Sequence, residues 1–136
     1  EYESNKAFLH SHSYTGNALA CSAANAVLDI FEMQNVVAKN KEMSKYIADE
    51  FQSLKDFHFL GNFRQKGMIY AFDILQSPYK RAGLEVFKRT LKKELLLRPL
   101  GNTIYFMPPY IITKEQVRYV RESLEAIFRG FKTQLL

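Results

Sequence analysis

The chain carries a single cysteine, Cys21, among its 136 residues. No intrachain disulfide can brace it, so a reducing compartment, the cytoplasm, is the expectation. It lacks any apolar run approaching the ~20 residues that cross a bilayer as a helix. It also lacks a charged stretch leading into an apolar segment, the mark of a secretory signal. No repeat, low-complexity tract or long block of like charge interrupts it. No cysteine or carboxylate cluster stands beside His10 and His12 to complete a coordination shell, so no metal is expected. An initiator methionine is missing too, and a piece of a longer protein is therefore expected. What is present is 47% hydrophobic and 24% charged, with a net charge of +5. That is enough apolar material for one core without disulfide or metal staples. The positive balance admits an anionic partner without requiring one.

Residues 1–16, EYESNKAFLHSHSYTG, are polar and without helical period, and read as a loop ending in a turn. From Asn17, a natural N-cap, Leu19, Ala23, Val27, Ile30 and Phe31 share one helical face. The small residues of ALACSAANAV would let that helix lie close against another element. Val36, Met43, Ile47, Phe51 and Leu54 stripe a second run, with Gln34-Asn35 as the break; one kinked helix and two helices fit equally. Gly61-Asn62 and Gly67 punctuate the chain beyond that run. Met68 to Leu75 alternates as a strand, with Met68, Tyr70, Phe72 and Ile74 on one face. Leu84, Phe87, Leu91 and Leu95 predict a third helix whose exposed side carries Arg81, Lys88, Arg89, Lys92 and Lys93. Leu95–Leu97 is a short strand candidate, Gly101-Asn102 a hairpin turn, and Thr103–Met107 a further strand ended by Pro108-Pro109. A capping box, Thr113 to Gln116, opens a last helix striped by Val117, Val120, Leu124, Ile127, Phe128 and Phe131. The order predicts an α+β domain, a small and largely antiparallel sheet packed with helices.

Four segments could carry chemistry. His10 to Asn17, HSHSYTGN, places hydroxyls and backbone N–H groups at the start of a helix, which suits an oxyanion. A plain turn and cap is the commoner source of such a segment. Arg98 ends an apolar strand and precedes proline, setting a guanidinium fork at the rim of a core where it could grip a carboxylate. An arginine reaching to solvent, or pairing with a structural acid, reads the same way. Lys66 to Phe72 faintly echoes the aromatic strand of RNA-binding sheets. Met68, Ile69 and Asp73 break the pattern, and a core strand is the better reading. The basic side of the third helix could meet nucleic acid or an anionic membrane, but a solvated face accounts for it. Cys21 reads as a buried small apolar residue.

Two of these segments together resemble a known family. HSHSYTGNALACSAANAVLDIFE is similar to the loop-then-helix of class III pyridoxal-phosphate aminotransferases, with its aromatic or hydroxyl pair followed by G-N-P-L-A-C-A-A-A. LLLRPLGNTIYFMPPYIIT resembles their C-terminal segment that binds the substrate carboxylate. The phrase R-P-x-G-x-x-I-Y-x-M-P-P-Y-I-I narrows the likeness to one branch, whose acceptor is an oxo acid. The resemblance covers nearly all of this chain and only about the last third of a family member.

That resemblance implies roles. Residues 1–17 would be an active-site loop segment, and residues 18–136 the C-terminal small domain of a fold-type I enzyme whose large cofactor domain is absent. Ser13, with His12 beside it, would contact the phosphate of pyridoxal 5'-phosphate held by a neighbouring subunit. Ser11 would line the substrate pocket, and Arg98 would hold the substrate carboxylate. Ala18 stands where the family has proline, which removes some rigidity from the first helical turn but no ligand. The family's cofactor-bearing lysine lies well upstream of the Ser13 position. Lys6 is the one lysine before Ser13 and is too near to serve, so no catalytic residue is expected here and the piece alone should be inactive. The resemblance further implies a homodimer acting on small molecules, with no nucleic-acid or membrane partner. Two alternatives stand beside this reading: a class III enzyme for an ω-amino or ornithine-like acid, and a non-catalytic basic binding domain.

Overall fold

The structure, a computed structural model, describes residue 13 and residues 15–132. The chain forms two compact units, Glu1–Val36 and Val37–Leu136. The first contains helix α1, Ala18–Met33. Asn17 caps it as its residue type suggests, its Oδ1 accepting the Ala20 N–H at 3.0 Å. The helix ends where Asn35 turns left-handed at φ 49°, a conformation asparagine tolerates, so the chain makes two separate helices at Gln34-Asn35. No α1 residue is buried: Leu19, Val27 and Ile30 of its apolar face are exposed, as is Leu28, and Cys21, expected to be buried, is exposed as well.

The second unit comprises helix α2 (Val36–Glu50, whose first residue closes the first unit), a 3₁₀ turn (Phe51–Asp56), strands β1 (Leu60–Lys66) and β2 (Ile69–Ile74), helix α3 (Ala82–Leu91), strands β3 (Pro99–Leu100) and β4 (Thr103–Phe106), and helix α4 (Lys114–Lys132). The four strands form one antiparallel sheet in the order β1-β2-β4-β3. The α+β class read from the sequence is therefore correct. Alternation along β2 sends Tyr70, Phe72 and Ile74 to one face, as predicted, and all three are buried. That face receives the α4 stripe: Val117, Val120, Leu124, Ile127, Phe128 and Phe131 are each buried. The capping box is present as read, with Thr113 N donating to Gln116 Oε1 at 2.9 Å and Gln116 N to Thr113 Oγ1 at 3.3 Å.

Four readings need correcting. β1 was not predicted, because LGNFRQK is mostly polar and opens with glycine and asparagine close to its start. It is an edge strand with an irregular register between Gly61 and Arg64, and pairing with β2 defines it. Residues 95–97 form no strand; the ladder begins only at Pro99. α3 turns a different side inward. Ala82, Gly83, Val86 and Thr90 are buried, while Leu91 of the expected stripe is exposed. The cause is close packing at Gly83, where a Cβ would collide with the Gly101 carbonyl oxygen and lie 2.9 Å from Pro99 Cβ. The small face fits against the β3–β4 turn and the leucine face cannot. Arg89, expected in solvent, instead covers Phe131 and Tyr79, 4.9 and 5.3 Å from their ring centroids, and bonds Glu85 and the Tyr79 hydroxyl.

On the other face of the sheet, Asp73 ties three strands together. It accepts hydrogen bonds from Thr103 Oγ1 (2.6 Å), Asn62 Nδ2 (2.9 Å) and Arg64 Nη2 (3.0 Å). Those donors, Thr103 foremost, hold its carboxyl down to about 2 from 3.8. A depressed folded-state value means the stabilisation is complete above pH 3.8 and is lost as pH falls through about 2. Urea melts of Asp73→Asn should therefore show a flatter loss of stability between pH 4 and 2 than the parent chain; an identical acid limb would remove Asp73 from this role.

Candidate substrate groove

Arg98 lies between two elements that fix its course. Leu97, immediately before it, is 5% exposed, and Pro99, immediately after it, pairs with Ile104 of β4. The chain thus passes from core to sheet edge at Arg98, and its side chain is exposed. It lines a groove of about 570 Å³. Leu95, Leu97, Phe106, Met107, Pro108 and Ile112 supply apolar walls, Val120 and Tyr119 of α4 close another side, and Glu94, Tyr105 and Gln116 add polar groups. Elsewhere in the unit, Arg64 pairs with Asp73, Arg89 with Glu85, and Arg121 with Glu50, Glu122 and Glu125, while Arg81, outside the groove, has no such partner among the described residues. Arg98 enters no ion pair with a described residue. A guanidinium beside apolar walls is the chemistry that takes a carboxylate carrying an aliphatic chain.

In the first unit, Ser13 is exposed and in a turn. Thr15 is exposed beside it, Gly16 holds φ 77° with open space where a Cβ would point, and the first turn of α1 carries no acidic residue. Hydroxyls leading into a helix start without a carboxylate in its first turn are donors that fit a phosphate. Ser11 and His12 lie outside the described residues. The α4 contribution to the groove was missed from the sequence. Gln116 is legible as a capping residue, and nothing in its spacing says that it and Tyr119 also meet the Arg98 segment.

The chain matches the class III aminotransferase family over residues 2–128 and belongs to it. Membership implies pyridoxal phosphate as the cofactor, and the Ser13 turn fits its phosphate. Within the family the chain is similar to the adenosylmethionine-8-amino-7-oxononanoate aminotransferase of Helicobacter pylori, with 57% identity over 121 residues. It is 35% identical over 136 residues to the protein of that name from Methanocaldococcus jannaschii. The crystal structure of the Methanocaldococcus jannaschii enzyme superposes on it with a TM-score of 0.81, covering 96% of this chain and 32% of the crystallised one. The two sequence matches take in 86% and 93% of this chain but 28% and 30% of the relatives, so the chain spans less than a third of their length.

The geometry around Gly83 bears on the groove, since Pro99 and Gly101 belong to the hairpin that begins just after Arg98. Gly83→Ala should destabilise the chain by ~1–3 kcal/mol in urea unfolding, the cost typical of overpacking. An unchanged midpoint would mean that α3 can move off the β3–β4 turn freely.

Proposed function

We propose that the intact protein is a cytoplasmic, homodimeric aminotransferase of biotin biosynthesis. It transfers an amino group from adenosylmethionine to 8-amino-7-oxononanoate, giving 7,8-diaminononanoate. The observation that carries this reading is Arg98 beside the apolar groove, in a chain 57% identical over 121 residues to a relative bearing that enzyme's name. The acceptor is a nine-carbon acid with its carboxylate at one end and the reacting oxo group near the other. Arg98 binds its carboxylate in a two-point contact. The walls from Leu95, Phe106 and Ile112 lie along the aliphatic chain and exclude water from it. That would leave the oxo group at the end of the chain away from the arginine. Ser13 and His12 hold the phosphate of pyridoxal 5'-phosphate across the subunit boundary, and Ser11 lines the same pocket. The cofactor supplies the electron sink that amino-group transfer needs. The 136-residue chain by itself is inactive in this reading, because Lys6 is the one lysine ahead of Ser13.

In the full-length enzyme, Arg98→Ala should raise KM for 8-amino-7-oxononanoate by roughly 10- to 100-fold, the scale of losing charge-assisted hydrogen bonds. Steady-state kinetics with adenosylmethionine, and with lysine as the alternative donor, test both the acceptor and the donor; no turnover of the acceptor would sink the assignment. Ser13→Ala should weaken pyridoxal phosphate retention by roughly 10- to 100-fold, the worth of one hydrogen bond to a charged group. Cofactor absorbance after dialysis measures it, and full retention would take Ser13 out of the phosphate site.

A further inference from the structure

Between α3 and Arg98 the chain makes a turn that the proposed chemistry does not use. The α3 C-terminus is closed by Glu94 N donating to the Leu91 carbonyl at 3.0 Å and Leu95 N to the Thr90 carbonyl at 3.0 Å. This is the double closure that normally places glycine at the left-handed position. Here that position is Glu94, at φ 57°. A residue with a Cβ is disfavoured there, so surrounding structure must hold the turn. Two contacts do so. Thr90, fully buried, anchors the last turn of α3. On the opposite side of the groove, the Tyr119 hydroxyl of α4 donates to the Lys93 carbonyl at 2.9 Å. The chain then runs from the turn to Arg98 through Leu95, Leu96 and Leu97, the last of them buried.

The geometry points to Tyr119 and Glu94 as positioning residues for Arg98: the hydroxyl bond from α4 and the left-handed turn together set where the guanidinium stands in the groove, and so the fit to the substrate carboxylate. This rests on the proposed role of Arg98 and deepens it. Neither residue touches the reacting atoms; both act on the backbone that carries the arginine. Tyr119 does so from the helix that forms the facing wall, which links the width of the groove to the position of the cation aimed at substrate.

The test uses the full-length enzyme with two acceptors, 8-amino-7-oxononanoate and its methyl ester, which lacks the charge Arg98 grips. Tyr119→Phe should raise KM for the acid about 2- to 10-fold, the span of one neutral hydrogen bond, and leave KM for the ester in place. Glu94→Val, β-branched and averse to the left-handed region, should do the same, and more strongly than Glu94→Gly, which removes the same carboxylate but adopts that region without cost. Equal changes for acid and ester would show general damage and overturn the proposal. It also falls if Arg98→Ala raises KM for the acid but Tyr119→Phe and Glu94→Val do not, a result that leaves the Arg98 role standing. If Arg98→Ala itself has no effect, that role fails and this inference goes with it.

Discussion

The ring of Phe128 joins α4 to the sheet, and the groove depends on that junction. It stands edge-on to Phe72 of β2, to Phe59 and to Phe131, each with centroids 5.9 Å away, and tilted against Phe57 at 5.8 Å. Edge-to-face pairs of this kind contribute about 0.5–1.5 kcal/mol each beyond the area they bury, and they constrain angle as well as distance. A helix held this way at its C-terminal half has its N-terminal half placed too. Gln116, Tyr119 and Val120 are consequently brought alongside residues 94–98 and 105–109. The groove is thus one end of the hydrophobic core, left open where the aromatic packing stops.

Charges in the second unit divide by what surrounds them. Asp73 has three donors and a carboxyl held low; it is a structural ion whose interactions are complete within the fold. Arg89 is stacked on two rings and bonded to Glu85, and completes the surface of the core. Arg98 has the same chemistry as Arg89 and a different setting: apolar walls on one side, solvent on the other, and no carboxylate from a described residue. An arginine held at the edge of a core without an acid partner can receive one from outside, which is the ground for the carboxylate-binding role proposed for Arg98.

Much of this was legible from residue order, and the exceptions share one cause. α4 declared itself through a capping box and a six-residue stripe, the hairpin through Gly101-Asn102, and β2 through alternation, because each is specified by neighbours a few positions apart. β1 was silent, since an edge strand with an irregular register needs few apolar residues and takes its shape from β2. The buried side of α3 was misread because its leucines form the more obvious stripe. Gly83 allows a closer approach than they do, and only the position of Gly101 reveals it. Arg98 and the Ser13 turn were visible as candidates, and their likeness to a family gave them roles. Tyr119 was not visible, because no local pattern connects it to Lys93, 26 positions away.

By itself, then, the sequence determined the four helices, strands β2 and β4, the class of fold and the family, all written in short-range periodicity and contiguous motifs. Tertiary structure alone decided which face of α3 is buried, that LGNFRQK is a strand, and that Arg98 shares a groove with α4. Those outcomes depend on shape at contacts between distant segments. A missing Cβ, a ladder partner or a hydroxyl across a groove has its effect only when the second surface is present.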